Sequence, residues 1–215
     1  MDETLERLKS GIRKFQWDVH GPNAEAYLKA ASQPQRPHTL VIACADSRVD
    51  VETITSAGPG ELFISRNVGN MAPVHGAHGG TVGAVVEYAV VKLKIRHIAI
   101  CGHSDCGAMK ALLRPGSDDL PTVARWLTNA EAALAVARAL QPADGRDLLT
   151  VLTEQNVLAQ MTHLRTHPAV AGAMAHGDLT VSGWVYEIGT GEVRIATDGS
   201  GPFVAVEEVG AARHG

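Results

Sequence analysis

Two short apolar runs, each ending at a chemically unusual turn, constrain this chain more than any other feature. Leu40-Val41-Ile42-Ala43 has no polar position and stops at Cys44-Ala45-Asp46-Ser47-Arg48. His97–Cys101 stops at Gly102 and leads into His103 and Cys106. A strand that lacks polar alternation is buried on both faces, as in parallel sheets covered by helices. Leu62–Ser65 reads as another strand. Between strands, Thr81–Leu93 sets Val82, Val85, Val86 and Val90 on one helical side, and Cys106 opens a short helix to about Leu113. Leu179–Ile188 and Val193–Thr197, split by Gly189-Thr190-Gly191, read as a strand pair. The expected fold class is α/β: a central, mostly parallel sheet, flanked by helices, with about four parallel strands plus an antiparallel edge strand.

The chain opens on an N-terminal helical arm. Leu5, Leu8, Ile12 and Phe15 recur at helical spacing behind a possible Asp2 cap, and a second short helix covers Asn23–Ala31. Ser32–Pro37 reads as loop, and long helices are expected near Val123–Leu140 and Arg146–Thr166. With no repeat, low-complexity tract or clear linker, 215 residues make one domain over 1–215. Its parts are an arm at 1–34, a core carrying the two special turns at 35–113, and C-terminal helices and edge strands at 120–215. A formal charge of −4 gives no basic excess, so nucleic acid is not an expected partner. The charged N-terminus lacks a signal-peptide core, and no apolar run is long enough to span a membrane. Three cysteines, an odd number, point to reduced thiols and a cytoplasmic location.

Cys44 and the His103-x-x-Cys106 pair each follow a strand run. In a parallel sheet the carboxyl ends of strands line the ligand crevice, so these three residues can converge. Two thiolates and an imidazole suit Zn²⁺, and three protein ligands leave a fourth position open, as at catalytic zinc sites. On spacing alone the bland reading stands beside it: cysteine is among the most buried residue types, and the three could simply fill a core. Asp46 and Arg48 sharpen the matter. On a surface they are an ion pair of little worth. Beside a metal, Arg48 holds the Asp46 carboxylate ionised and aimed.

Around these residues the sequence resembles the beta-class carbonic anhydrases. The likeness runs through Cys44-Ala45-Asp46-Ser47-Arg48-Val49, Pro59-Gly60-Glu61-Leu62-Phe63, Arg66-Asn67-Val68-Gly69-Asn70, Glu87-Tyr88-Ala89-Val90 and Gly102-His103-Ser104-Asp105-Cys106-Gly107. It covers roughly residues 35–113 and extends more weakly to Glu154-Gln155-Asn156-Val157 and Val181-Ser182-Gly183-Trp184-Val185-Tyr186.

The resemblance implies one Zn²⁺ per subunit on Cys44, His103 and Cys106, with Asp46 and Arg48 as a catalytic dyad. It implies reversible hydration of carbon dioxide to bicarbonate and a proton by a zinc-bound hydroxide. Gln35, Phe63, Tyr88 and Gly107 fall at substrate-pocket positions of one subtype. The other subtype has a regulatory bicarbonate pocket built on a Trp three residues before the first ligand. Val41 stands there, so such regulation is not expected; a free fourth position is, with Asp46 paired to Arg48. The resemblance also implies a homodimer or homotetramer, with the N-terminal arm reaching across and the pocket near the interface. Gln35, Phe63 and Tyr88 would then serve the neighbour's zinc. Cys101 is expected to be a buried structural thiol. His75 and His78, in the loop before a helix, are the tempting but unsupported proton shuttles. Two rivals stay open: a carbon disulfide or carbonyl sulfide hydrolase on the same scaffold, and a non-catalytic protein with a closed structural zinc.

Overall fold

The computed structural model describes residues 2–76, 80–114, 119–140 and 145–206. Its centre is a six-stranded sheet in the order β2-β1-β3-β4-β5-β6. The strands are β1 (Thr39–Cys44), β2 (Leu62–Asn67), β3 (His97–His103), β4 (Thr180–Tyr186), β5 (Val193–Ala196) and β6 (Val204–Ala205). The first four pair in parallel, and β4-β5 and β5-β6 are antiparallel. The expected α/β architecture is present, with one correction: two antiparallel strands, not one, complete the sheet. β6 is only two residues long, too short for a pattern to show in sequence.

Helices α1 (Glu3–Lys14) and α2 (Ala24–Ser32) form the arm; α3 (Val51–Thr55), α4 (Gly80–Glu87) and α5 (Gly107–Leu113) connect the first strands. Then come α6 (Pro121–Leu127), α7 (Glu131–Leu140), α8 (Leu148–Leu164) and α9 (Pro168–His176). Asp2 caps α1 by accepting from Thr4 N at 3.0 Å. The long helix expected over 123–140 is broken into α6 and α7 by a 3₁₀ turn at Thr128–Ala130. The helix expected over 81–93 is α4 followed by a π-helical stretch, Tyr88–Lys92. α9 was not expected: its Ala-rich sequence, Pro-Ala-Val-Ala-Gly-Ala-Met-Ala-His, carries little periodic contrast.

The absence of polar positions from Leu40 to Ala43 has the anticipated cause. All six of its residues are buried, and Leu40, Val41 and Ile42 each lose all solvent contact. Full burial of such side chains stabilises by about 1.5–3 kcal/mol apiece. On one face, Val41 and Ala43 pack with Val49, Val51, Ala99 and Cys101. On the other, Leu40 and Ile42 meet α4, α8 and α9 through Val86, Val157, Met161 and Val170.

α8 is seated on two glycines. A Cβ at Gly102 would lie 2.7 Å from Val157 Cγ2, and one at Gly183 would lie 2.5 Å from Val157 Cγ1 and 2.7 Å from Met161 Sδ. The helix therefore lies closer to β3 and β4 than any side chain would allow. Its buried Glu154 accepts from Arg146 Nη1 at 2.6 Å and Arg194 Nη1 at 2.7 Å, tying α8 to the preceding segment and to β5.

Candidate metal centre at the carboxyl ends of β1 and β3

Chain order sets the place of the site. From β1 the chain moves to one side for β2, then crosses back to put β3 on the other side of β1. The direction reverses between β1 and β3, and the crevice beyond strand ends at such a point is where parallel sheets bind ligands. Ala43 is in register with Cys101. Cys44, the last residue of β1, and His103, the last of β3, therefore stand at the mouth of this crevice. Cys106 follows one turn later, just before α5.

Cys44 Sγ, Cys106 Sγ and a ring nitrogen of His103 lie within 4.8 Å of one another, and all three residues are buried. Among the described residues no fourth His, Cys, Asp or Glu joins them. His103 Nδ1 lies 2.8 Å from Ser104 O. A carbonyl only accepts, so Nδ1 carries the proton and Nε2 offers a lone pair. That Nε2 is buried with no hydrogen-bond partner. An orphaned imidazole nitrogen facing two thiols is costly unless something binds there, and fixing the other ring nitrogen on a carbonyl is the usual support of a metal-ligating histidine. The residues fit a metal ion.

The thiols are prepared for it. The Cys106 thiol donates to Cys44, which, against the opposing effect of burial and with help from His103, brings Cys44 down to about 4. The same shared proton pushes Cys106 up. The backbone at Asp46 and Gly69 helps to lower Cys44, and that at Ala108 and Met109 works against the rise at Cys106. Burial by itself would lower His103, but the nearby Cys44 sulfur and its charge raise it. A metal replaces the proton that the two sulfurs share.

Asp46 and Arg48 are paired. Asp46 Oδ1 accepts from Arg48 N and Nε, both at 3.0 Å, and Oδ2 accepts from Nη2 at 2.8 Å. These bonds hold the Asp46 carboxyl well below the usual range. Oδ2 also lies 3.9 Å from His103 Nε2, so the carboxylate borders the trio. Three neighbours were not singled out from the sequence. Asp105 accepts from Arg48 Nη1 at 3.0 Å and pairs with Lys110, so Arg48 bridges two carboxylates. Asp105 has φ +59, a left-handed conformation that Asp tolerates. Arg66 donates to Cys44 O at 3.0 Å and Asp46 O at 2.6 Å, pinning the turn that carries both. Only the motif Arg66-Asn67 hinted at this; contacts to main-chain carbonyls leave no sequence pattern.

The pocket residues divide. Gly107 begins α5 directly after Cys106, and a Cβ there would meet nothing within 4 Å. Gln35, Phe63 and Tyr88 lie at the other end of the sheet. Phe63 is level with Leu40 at the start of β1. Its ring is 6.0 Å from Tyr88, and Gln35 and Tyr88 line a common cleft with Arg36, His38 and Lys92. Leu40 stands four residues before Cys44, so at about 3.3 Å per residue Phe63 lies roughly 13 Å along the strand from Cys44. One chain does not bring them to its own trio. Cys101 is buried, and burial raises its thiol to about 12. His75 sits against the ring of His167, 5.5 Å between centroids; His78 lies outside the described residues.

Fold and site together define an α/β protein with a Cys-His-Cys cluster able to hold a metal at its switch point. Comparison with known proteins gives the family. The carbonic anhydrase family model matches residues 39–193. A carbonic anhydrase of Pseudomonas aeruginosa is 44% identical over 92% of this chain and 90% of its own. One of Synechocystis sp. is 41% identical over 91% of this chain and 72% of its own. The structure of the beta-carbonic anhydrase CcaA superposes with a TM-score of 0.89 at 39% identity, covering 95% of this chain and 92% of that one. A tetrameric beta-carbonic anhydrase of Sordaria macrospora gives 0.79 at 29% identity, over 95% and 100%. The chain belongs to the beta-class carbonic anhydrases, and its reaction is the reversible hydration of carbon dioxide to bicarbonate and a proton. Among the described residues no helix is long and apolar enough to cross a membrane.

Proposed function

We propose that the metal is zinc, one per subunit, held by Cys44, His103 and Cys106. The observation that carries this is the buried, unpartnered His103 Nε2 facing two thiols while Nδ1 is committed to a carbonyl. Two sulfurs and an imidazole are a donor set for zinc rather than for hard cations. Three ligands without a fourth among the described residues favour the catalytic over the closed structural arrangement. Zinc so bound supplies the nucleophile, by lowering the pKa of water toward about 7.

The protein's own part is orientation. Asp46, ionised and therefore acceptor-only, takes the hydrogen bond of the nucleophile and leaves a lone pair toward carbon dioxide. Arg48 occupies the remaining capacity of that carboxylate. It thereby keeps Asp46 off the fourth position. Gly107, without a side chain, leaves room for substrate beside Cys106. The proton released by the hydration passes to buffer.

Gln35, Phe63 and Tyr88 complete the pocket of a neighbouring subunit in a homodimer or homotetramer. Their distance from the trio of their own chain supports this reading. So does the arm: no residue of α1 or α2 is buried, and Leu8, Ile12, Trp17 and Leu28 are exposed, an apolar surface of the kind that marks a protein interface. Three free cysteines suit the cytoplasm. The deciding experiment is a carbon dioxide hydration assay on wild type and Asp46→Ala, with zinc measured in both. Activity should collapse while zinc stays near one per chain; wild-type activity with full zinc would sink the role of Asp46.

A further inference from the structure

The loop after β2 is held by side chains that the reaction does not otherwise use. Asn67 clasps the loop's far end: its Nδ2 donates to Met71 O at 2.9 Å and its Oδ1 accepts from Met71 N at 2.7 Å. The indole Nε1–H of Trp126, on α6, donates to Val68 O at 2.8 Å. Asn156 Nδ2, on α8, donates to Gly69 O at 3.1 Å. Gln160 fixes Asn156 by donating to its Oδ1 at 2.9 Å, and accepts from Ala72 N at 2.8 Å. Asn156 and Gln160 are buried, and buried amides so satisfied are rigid.

Gly69 has φ +77, and a Cβ there would lie 2.9 Å from Met71 Cε and 3.0 Å from Ala108 Cβ. The bare backbone is therefore pressed against the first turn of α5, immediately behind Cys106. From there the Gly69 backbone stands close enough to Cys44 to help lower its thiol. Val68 C=O and Gly69 N–H belong to one planar trans peptide unit and point in opposite directions. A donor that fixes the carbonyl fixes the N–H, and hydrogen bonds in series strengthen one another.

We propose that Trp126 is a positioning residue for the metal: its indole N–H holds the Val68–Gly69 peptide so that the Gly69 N–H is aimed at the Cys44 sulfur, with Asn156 securing the next peptide. Trp126 touches neither metal nor substrate. The inference rests on the reading of Cys44, His103 and Cys106 as the metal site. It assigns part of that site's rigidity to α6, outside the motifs that carry the chemistry.

Trp126→Phe keeps an aromatic ring and removes the donor. Partners of metal ligands typically matter 10- to 100-fold. One peptide further out, zinc release from the holoenzyme to a chromophoric chelator should quicken about tenfold, the low end of that range. The thiolate-to-cobalt charge-transfer band of the cobalt form should shift as well. Release at the wild-type rate with an unshifted band overturns the proposal, because water or packing then suffices. Val123→Ala thins the packing of the same helix without touching the bond; equal acceleration there also overturns it. Should Trp126→Phe not fold, wild-type protein labelled with ¹⁵N and loaded with ¹¹³Cd decides. Coupling from cadmium to the Gly69 amide proton supports the proposal, and its absence overturns it. Cys44→Ala that still binds a full equivalent of metal overturns the metal reading and this inference together. Full metal in wild type with an unaltered Trp126→Phe overturns this inference alone.

Discussion

Replacing Gly183 by Ala should destabilise the protein through one identifiable collision. The new methyl would lie 2.5 Å from Val157 Cγ1 and 2.7 Å from Met161 Sδ. Met161 can turn its thioether aside, since methionine has three rotatable bonds. Val157 cannot: a β-branched residue in a helix has one strongly preferred rotamer, and its other methyl is already over Gly102. Relief therefore requires α8 to shift. Overpacking of this kind costs about 1–3 kcal/mol, while the entropy removed from the unfolded chain returns up to about 1 kcal/mol. A net loss of about 1–2 kcal/mol lowers Tm by roughly 2–8 °C in a chain of this size. The double variant Gly183→Ala/Val157→Ala removes the collision, so calorimetry or urea unfolding should show a coupling of about 1 kcal/mol or more. Wild-type stability for Gly183→Ala, or costs that simply add in the double variant, would refute the seating argument. The stake reaches the site, because α8 carries Asn156 and Gln160, which bind the loop beside Cys44.

Two further outcomes can be checked. His97 is lowered mainly by burial and bonds Thr180 and Ser182 at 2.7 Å each. Below the ordinary histidine value of about 6.5 the unfolded chain takes up a proton that the folded state resists, so the contribution of His97 is lost as pH falls. The stability gap between wild type and His97→Asn in urea titrations should shrink from pH 7.5 to 5.5, and a constant or widening gap contradicts this. In peptide mapping after iodoacetamide, the holoenzyme should show no modified cysteine, and chelator-stripped protein should react first at Cys44, whose thiol is brought down to about 4, and not at Cys101, whose thiol burial raises to about 12. Early alkylation of Cys101 would contradict its assigned burial.

Legibility of the sequence varied with the kind of contact. β1 and β3 were readable because burial on both faces leaves the unbroken apolar runs Leu40–Ala43 and Ile98–Cys101. Cys44, Asp46, Arg48, His103 and Cys106 were readable because their chemistry is rare and each flanks a strand end. The second antiparallel strand was not, since two residues hold no period. Nor was the break between α6 and α7, where an apolar pattern continues across the 3₁₀ turn. Gln35, Phe63 and Tyr88 lie near one another, but their placement at the opposite end of β1 needed the register. Trp126 and Asn156 act through main-chain carbonyls, and Gly183 through the side chain above it. None of these relations leaves a mark in a single sequence.

The central claim is that two sulfurs and one imidazole hold zinc with a fourth position free for chemistry. X-ray absorption at the zinc edge of the purified enzyme near neutral pH tests it directly. The account predicts two sulfur scatterers at about 2.3 Å, one imidazole nitrogen at about 2.0 Å and a single exchangeable light atom. That light atom should be replaced when a small anion is added, and the spectrum should be unchanged in Asp46→Asn. Loss of the light scatterer in Asp46→Asn, or a closed shell of four protein ligands, would contradict it.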